Sequence, residues 1–206
     1  MATLRLPRLP QLPASLQTVR CDPAALYRVS GHATGEPYFG RANTYRFDAP
    51  HPQMAARFGT CYLGASLAVA LAETLLHDRK PIRNHFIVGL AVIQARFVIR
   101  FTGETLVLAD LTGAALRKLG GHAGLSGTSS YQTTQAWSAA IHAHPDEVDG
   151  MLYMSRHKND ETATVLFHRA APKLAMSSAT PLSVHPDFGQ VATQLGIRSA
   201  WPSTCP

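Results

Sequence analysis

The chain has 206 residues, of which 46% are hydrophobic and 16% are charged. This length suits a single domain with its own core, and the apolar content excludes an intrinsically disordered or collagen-like chain. The 19 basic and 13 acidic side chains leave a net charge of +6, which favours an anionic partner without selecting among nucleotides, nucleic acids and acidic proteins.

The sequence shows no sign of a membrane or secretory segment. The longest strongly apolar stretch covers only residues 86–93, far short of the ~20 residues that cross a bilayer. Prolines at positions 7, 10 and 13 interrupt the N-terminal segment, so no secretory signal is expected. Cys21, Cys61 and Cys205 are far apart and form no C-x-x-C pair, which argues against disulfides and structural zinc. We therefore expect a reduced, cytoplasmic protein.

Common catalytic signatures are also missing, because the chain contains no P-loop, no G-x-G-x-x-G, no H-E-x-x-H and no G-x-S-x-G. His142, His144 and Asp146 stand close together in sequence and suggest a metal site. They also flank Pro145 at a predicted helix end, where the helix dipole favours histidine. No metal and no bound cofactor are expected.

The first third of the chain alternates short elements with a long loop. Residues 1–20 are rich in Pro, Leu and Arg and predict an irregular N-terminal arm, leaving residues 21–206 as one folded domain. Short strands are predicted over Ala25–Val29 and Thr60–Gly64. The intervening Ser30–Pro52 segment has no sustained period, and so long a loop in a compact domain is usually functional.

The clearest helix follows Ser66, which is a plausible N-cap. The apolar positions that repeat at helical spacing are Leu67, Ala70, Leu71 and Leu75, with Thr74 among them. Glu73 lies off the centre of this apolar helix face. A carboxylate in a helix built from Ala, Leu and Val requires a partner.

The rest of the chain predicts more strands than helices. Residues Asn84–Phe101 are dense in Phe, Val and Ile and suggest extended structure. Predicted strands and helices do not alternate strictly along the chain. This order favours a single compact α+β domain with a mixed sheet core and flanking helices. Further strands are predicted over Glu104–Leu111, Val148–Ser155 and Thr162–His168, the last two paired, with helices over Ala114–Leu119, Gln132–His142 and Gly189–Leu195 and a flexible turn at Gly124–Ser130.

Polar residues interrupt apolar elements at several points. Arg28 follows Leu26 and Tyr27 in a predicted strand, and a sheltered guanidinium needs a carboxylate or phosphate partner. From pairing alone, a structural ion pair between Arg28 and Glu73 and a ligand site remain alternatives.

An ordered series of short motifs resembles the RES domain, a family named for an arginine, a glutamate and a serine. The resemblance covers roughly residues 24–170, and the order of the motifs makes the set specific although each motif alone is weak. In chain order they are 26–29 (LYRV), 35–40 (GEPYFG), 46–48 (RFD), 58–64 (FGTCYLG), 70–74 (ALAET), 149–156 (DGMLYMSR) and 165–167 (VLF).

The resemblance implies a toxin of a RES–Xre toxin–antitoxin pair, with a fold similar to that of ADP-ribosyltransferases. Characterised members of that family break the bond between nicotinamide and ribose in NAD, and one branch modifies a protein. NAD would then be the substrate, a cognate Xre-type antitoxin the partner, and a hetero-oligomer the assembly. The motif residues carry over to Arg28 and Arg46, to Tyr62, to Glu73 and to Ser155, with Tyr27 beside the first arginine.

The chemistry of these residue types agrees with that activity. Cleavage of an N-glycosidic bond develops positive charge on the ribose, which a fixed carboxylate such as Glu73 stabilises. Arginines suit a diphosphate, and the Tyr62 ring suits a flat leaving group. We therefore expect Glu73, Arg46 and Tyr62 as catalytic residues and Arg28, Tyr27 and Ser155 as substrate-binding residues, beneath the Ser30–Pro52 loop.

Two alternatives remain open at this stage. The ADP-ribose acceptor is either phosphate or water, or it is a specific macromolecule, in which case the protein is a transferase. A non-catalytic basic module that binds RNA or protein would also explain the charge. The chain has no RNP-like aromatic strand, so direct binding to nucleic acid is not expected.

Overall fold

An eight-stranded mixed sheet forms the centre of the fold in the computed structural model, which describes residues 5–200. The strands are β1 (Thr18–Cys21), β2 (Tyr27–Ser30), β3 (Thr60–Gly64), β4 (Phe86–Gly89), β5 (Phe97–Gly103), β6 (Leu106–Leu111), β7 (Gly150–Met154), β8 (Thr162–Phe167), β9 (Leu174–Pro181) and β10 (Ile197–Ala200). The order in the large sheet is β1-β6-β7-β8-β3-β2-β5-β9, and β10 pairs with β4 in a separate parallel ribbon. Within the large sheet β6 and β7 are parallel, and the other neighbours are antiparallel.

Short helices flank the sheet. The α-helices are α1 (Leu67–Thr74), α2 (Leu90–Gln94), α3 (Gly113–Lys118), α4 (Gly124–Gly127), α5 (Tyr131–His142) and α6 (Phe188–Gln194), with 3-10 turns at Pro23–Ala25, Met54–Ala56, His168–Lys173 and Leu182–Val184. The prediction of an α+β domain around a mixed sheet is confirmed. None of the helices in residues 5–200 is both long and apolar enough to cross a membrane.

Three apolar clusters build the core, and β3 shows how the sheet separates two of them. Cys61 and Leu63 pack with Ile99 and other buried side chains in one cluster, whereas Tyr62 packs against the cluster that contains Phe47 and Trp137. This division follows from the alternation of side chains along a strand. The third cluster lies between α1, β4, β5 and α6.

The helix predicted after Ser66 is confirmed as α1. The Ser66 side chain accepts a hydrogen bond from the Val69 N–H at 3.2 Å, as an N-cap does, and residues 67–72 are all buried. The helix lies close to the preceding strand, because a Cβ added at Gly64 would stand only 2.6 Å from the Ala70 nitrogen. This close approach holds the end of α1, and Glu73 with it, against the sheet.

Several local predictions are confirmed and others are wrong. The strand at Thr60–Gly64 and the antiparallel pairing of β7 with β8 are as expected. The Asn84–Phe101 stretch is not continuously extended, because α2 interrupts it. An apolar run alone does not distinguish a buried strand from a short buried helix. The turn predicted over Gly124–Ser130 likewise begins with the single turn of α4.

The predicted N-terminal arm ends earlier than residue 20, because Thr18–Cys21 forms the edge strand β1 against β6. The preceding residues are irregular but attached to the domain. The Trp137 indole N–H donates to the Pro7 carbonyl at 2.7 Å, and the Leu16 N–H donates to Asp146 at 2.6 Å. Residues 1–4 and 201–206, which include Cys205, lie outside the described residues.

Candidate active site

Glu73, in the last turn of α1, is held by the loop that follows β7. Its Oε1 atom accepts hydrogen bonds from Ser155 Oγ at 2.5 Å and from the Arg156 N–H at 3.0 Å, with a weaker contact from the His157 N–H at 3.5 Å. Its Oε2 atom has no hydrogen-bond partner among residues 5–200. One carboxylate oxygen is therefore fixed by protein donors, and the other is available to a ligand.

Ser155 is itself fixed at the end of β7. Its N–H donates to the Glu161 carbonyl at 3.0 Å, and its Oγ accepts from the Lys158 N–H at 3.1 Å. With only 1% of its surface exposed, Ser155 has no freedom to turn its hydroxyl away from Glu73. The loop thus fixes the position of the carboxylate and keeps it half-buried.

A second part of the site is the turn that carries Arg46. Asp48 organises this turn, because its Oδ2 accepts the Thr44 and Tyr45 N–H groups, each at 2.8 Å. Its Oδ1 accepts the hydroxyls of Thr60 at 2.7 Å and Tyr62 at 2.9 Å. The buried carboxylate therefore joins the turn to β3.

Helix α5 supports the same turn from the other side. Its three polar side chains at residues 134, 135 and 138 each donate to one backbone carbonyl of the turn. Thr134 Oγ1 donates to Arg46 O at 2.6 Å, Gln135 Nε2 to Tyr45 O at 2.9 Å, and Ser138 Oγ to Phe47 O at 2.7 Å. These spacings place all three on one helix face. The backbone around Arg46 is therefore fixed between α5 and β3.

The Arg46 guanidinium is buried, with 8% of the residue exposed. Its Nη1 donates to the carbonyls of Thr128 at 2.7 Å and Leu125 at 3.3 Å, and its Cζ lies 5.1 Å from the centre of the Tyr131 ring. Burial lowers the pKa of Arg46, while the nearby Tyr131 and Glu73 act in the opposite direction. Within residues 5–200 this cation forms no ion pair.

The hydroxyl of Tyr62 is fully engaged, and its ring packs against the core cluster that contains Phe47. The hydroxyl donates to Asp48 and accepts the Phe47 N–H at 3.0 Å, and burial raises its pKa well above the usual value. It is therefore a poor acid or base. The Tyr45 ring meets the Tyr62 ring edge-on, with centroids 5.7 Å apart.

Tyr153 belongs to this site, although the sequence reasoning did not assign it a role. It is buried on β7, two residues before Ser155, and its ring packs edge-on against Phe47 with centroids 4.7 Å apart. Burial raises its pKa well above the usual value, with the negative charge of Glu73 adding to the effect and Arg46 opposing it. The hydroxyl has no hydrogen-bond partner among residues 5–200. The spacing of two from Ser155, which puts both on one strand face, was the signal that could have found it.

Arg28 and Tyr27 make their main side-chain contacts with other residues. Arg28 Nε forms an ion pair with Glu36 Oε2 at 2.9 Å, and its Nη1 donates to the Tyr62 carbonyl at 3.0 Å. Tyr27 packs with the α1 cluster, and its ring centre lies 3.7 Å from the Arg100 guanidinium. Arg28 thus has a glutamate partner, but the partner is Glu36 and not Glu73. Its hydrogen bond to the Tyr62 carbonyl links it to the site.

The histidines that suggested a metal are dispersed. His142 stacks on Phe58 and contacts Arg169, and His144 donates to the Pro13 carbonyl at 2.9 Å. Residues 5–200 contain no group of three His, Cys, Asp or Glu side chains arranged to hold a metal ion. Two cavities, of about 520 and 470 Å³, lie elsewhere on the domain, and neither is lined by Glu73, Arg46 or Tyr62. The candidate site is therefore identified by its polar contacts.

The sequence model of the RES domain family matches residues 24–188 of this chain. The chain belongs to the RES domain family. The match includes all six residues predicted for the site, as well as Asp48 and Tyr153, and it leaves out β1 and β10. The family recognised from short sequence motifs is thereby confirmed.

One relative of this RES protein is a probable toxin by name, and one structural neighbour comes from a toxin–antitoxin complex. The chain is 32% identical over 101 residues to the probable toxin y4kH of Sinorhizobium fredii (strain NBRC 101917 / NGR234), an alignment that covers 48% of this chain and 79% of that protein. Its fold is similar to a chain in the crystal structure of the M. tuberculosis MbcT–MbcA toxin–antitoxin complex, with a TM-score of 0.59 and 15% identity over 85% of this chain and 92% of that one. At that identity the second likeness shows the fold alone. Together with the family match, the first places this RES protein in the toxin class.

Proposed function

We propose that this RES protein is the toxin of a toxin–antitoxin pair and that it consumes NAD by breaking the bond between nicotinamide and ribose. The observation that carries the proposal is the state of Glu73. One of its carboxylate oxygens is fixed by Ser155 and the Arg156 N–H, and the other has no partner within residues 5–200. In this proposal the toxin acts in the cytoplasm, where NAD is abundant.

The reaction breaks the bond between ribose C1′ and the nicotinamide nitrogen, and the bonding pair leaves with nicotinamide. Because nicotinamide departs as a neutral molecule, no strong general acid is required. Positive charge develops on the ribose as in glycoside hydrolysis, and the carboxylate of Glu73 stabilises it. Oε2 also accepts a hydrogen bond from a ribose hydroxyl. Since Ser155 has already fixed the carboxylate, little reorganisation accompanies the reaction.

The neighbouring side chains suit the remaining parts of the substrate. The Tyr62 ring, whose hydroxyl is occupied by Asp48, offers an aromatic surface to nicotinamide. Arg46 offers a cation to the diphosphate. Arg28 acts through Tyr62, whose backbone it holds. The acceptor of ADP-ribose is phosphate or water, so the protein is an NAD phosphorylase or glycohydrolase.

The decisive experiment compares purified wild type with Glu73→Gln, which keeps the shape and the Oε1 acceptor while removing the charge. Release of nicotinamide from NAD is followed with and without phosphate, and we expect the variant to lose a factor of about 10² or more. Glu104→Gln is the matched control, because Glu104 is an exposed glutamate before β6. Growth arrest with an intact NAD pool would contradict the proposal. Radioactive label transferred from NAD to protein or nucleic acid would instead identify a transferase, and salt-sensitive RNA binding without turnover would identify a binding module.

The partner in this proposal is a cognate Xre-type antitoxin, which forms a hetero-oligomer with the toxin. The net charge of +6 favours an acidic surface on that partner. Co-expression of the chain with a helix-turn-helix protein encoded beside it should restore growth and yield a complex in size-exclusion chromatography. Two separate peaks, with growth still arrested, would remove this part of the proposal.

A further inference from the structure

We infer that the N-terminus of α5 and the Arg46 guanidinium together form an anion site, which takes the diphosphate of a dinucleotide substrate. The identity of that substrate rests on the proposed function. The anion site itself rests on the geometry of residues 124–133 and Arg46, and it can be tested with a phosphate compound alone.

The first turn of α5 presents backbone N–H groups without partners. The helix has twelve residues, its N-cap Ser130 makes no capping hydrogen bond with its side chain, and its first turn contains no acidic residue. The N–H groups of Tyr131, Gln132 and Thr133 have no acceptor among residues 5–200. Such groups, reinforced by the helix dipole, bind anions.

Arg46 supplies an independent observation at the same place. It is more than nine-tenths buried, and only Nη1 is engaged, by the carbonyls of Thr128 and Leu125 in the segment that leads into α5. Its Nε and Nη2 have no partner within residues 5–200, although they are not fully enclosed. The buried Asp149, by contrast, has Lys173 at 2.8 Å. A buried cation without a counter-charge is unfavourable, so an anion beside Arg46 would complete the site.

The segment between these two features suits phosphate. Residues 124–130 contain glycines at both ends of α4 and four hydroxyl side chains, and no acidic residue. The 5.1 Å contact between Arg46 Cζ and the Tyr131 ring places the guanidinium at the first residue of the helix. Arg28 is already paired with Glu36, which leaves Arg46 as the better partner for a diphosphate.

The test compares Ser130→Asp with Ser130→Asn. Both residues are good N-caps, and the Asp carboxylate also interacts favourably with the helix dipole, so both variants should melt at or above the wild-type temperature. The carboxylate, however, occupies the place of the anion. In calorimetric titrations with inorganic pyrophosphate, we expect binding to the Asp variant to be about tenfold weaker or more than binding to the Asn variant. Equal affinities of the two variants for pyrophosphate would contradict the proposed anion site.

A second pair isolates the backbone donor. Tyr131→Pro removes the first N–H of the helix at a position where proline is tolerated, and the extended backbone of Ser130 (ψ 106°) is compatible with a following proline. Tyr131→Ala also lacks the ring but keeps the N–H. We expect weaker pyrophosphate binding for the Pro variant than for the Ala variant, and equal binding would count against the helix terminus as a ligand.

The experiments distinguish a failure of the proposed function from a failure of the anion site. If wild type binds pyrophosphate as expected but does not cleave NAD, the anion site stands and the proposed function is wrong. If wild type cleaves NAD and Ser130→Asp has an unchanged KM, the proposed function stands and the anion site is wrong.

Discussion

Ser155 Oγ donates a hydrogen bond of 2.5 Å to Glu73 Oε1, although the two residues are 82 positions apart. Ser155 directly follows β7, which pairs with β8 along one edge. Glu73 lies in the last turn of α1, the helix that follows β3, and β3 pairs with the other edge of β8. The order β7-β8-β3 in the sheet brings the two ends together. This bond orients the carboxylate on which the proposed chemistry depends.

Replacing Ser155 by Ala tests that orientation. The change removes a donor to Glu73 and the acceptor of the Lys158 N–H, so we expect the free energy of unfolding to fall by about 1–3 kcal/mol. We also expect kcat for NAD cleavage to fall by about tenfold or more, because the carboxylate loses the hydroxyl donor that helps to orient it. Turnover assays and urea denaturation measure the two effects. Ser178→Ala, at an exposed position of β9, is the control, and an unchanged kcat in Ser155→Ala would show that the bond is only structural.

Tyr153→Phe tests the buried tyrosine. Its hydroxyl makes no hydrogen bond within residues 5–200, so the variant should be as stable as wild type within about 0.5 kcal/mol. If the hydroxyl contacts substrate between Glu73 and Arg46, NAD turnover should fall by about fivefold to tenfold. Kinetics and thermal melting on the same preparations separate the two outcomes. Full activity would place Tyr153 among the core residues only.

Asp48→Asn tests the group that joins the Arg46 turn to β3. The carboxylate accepts four hydrogen bonds, two of them from fixed backbone donors, and an Asn side chain has one oxygen to offer. Tyr62 cannot readily accept from the new amide, since it already accepts the Phe47 N–H. We expect a loss of about 1–3 kcal/mol in the free energy of unfolding, measured by urea denaturation. Asp78→Asn, with 93% of its side chain exposed, should be neutral.

His142 should make stability depend on pH. Burial, together with the charge of Arg169, lowers its pKa from 6.5 to about 4. The unfolded chain therefore binds a proton near pH 6.5 that the folded protein binds only near pH 4, so stability is full above pH 6.5 and falls as the pH drops toward 4. His142→Phe, which keeps the stacking on Phe58, should show a shallower fall in urea denaturation over this range.

Two further measurements check the cause of that pH dependence. Arg169→Gln should move the NMR titration midpoint of His142 upward, because the guanidinium helps to lower the pKa. A wild-type midpoint near 6.5, or the same pH slope in His142→Phe, would contradict the assignment.

Local elements and the family could be predicted from the sequence, because short patterns determine them. Ser66 followed by apolar residues at helical spacing predicted α1, and the motif order from Arg28 to Ser155 indicated the RES domain, which the match over residues 24–188 confirms. The assignment of Glu73, Arg46, Tyr62 and Ser155 to one site remains a prediction, and the structure supports it with contacts among their elements. The assignment of Tyr27 and Arg28 to substrate binding also remains a prediction.

The interaction partners of the charged side chains became known only from the tertiary structure. Residue types predicted that Arg28 and Glu73 each needed a counterpart. They did not predict that Arg28 would pair with Glu36, that Glu73 would be held by Ser155, or that Arg46 would be buried among carbonyls. These contacts join residues far apart in sequence, and they depend on the order of strands in the sheet and on how α5 packs beneath residues 44–48. Spacing along the chain determines which side chains lie on the same helix or strand. The free energy of burying a charged side chain depends instead on the groups that other parts of the fold place beside it.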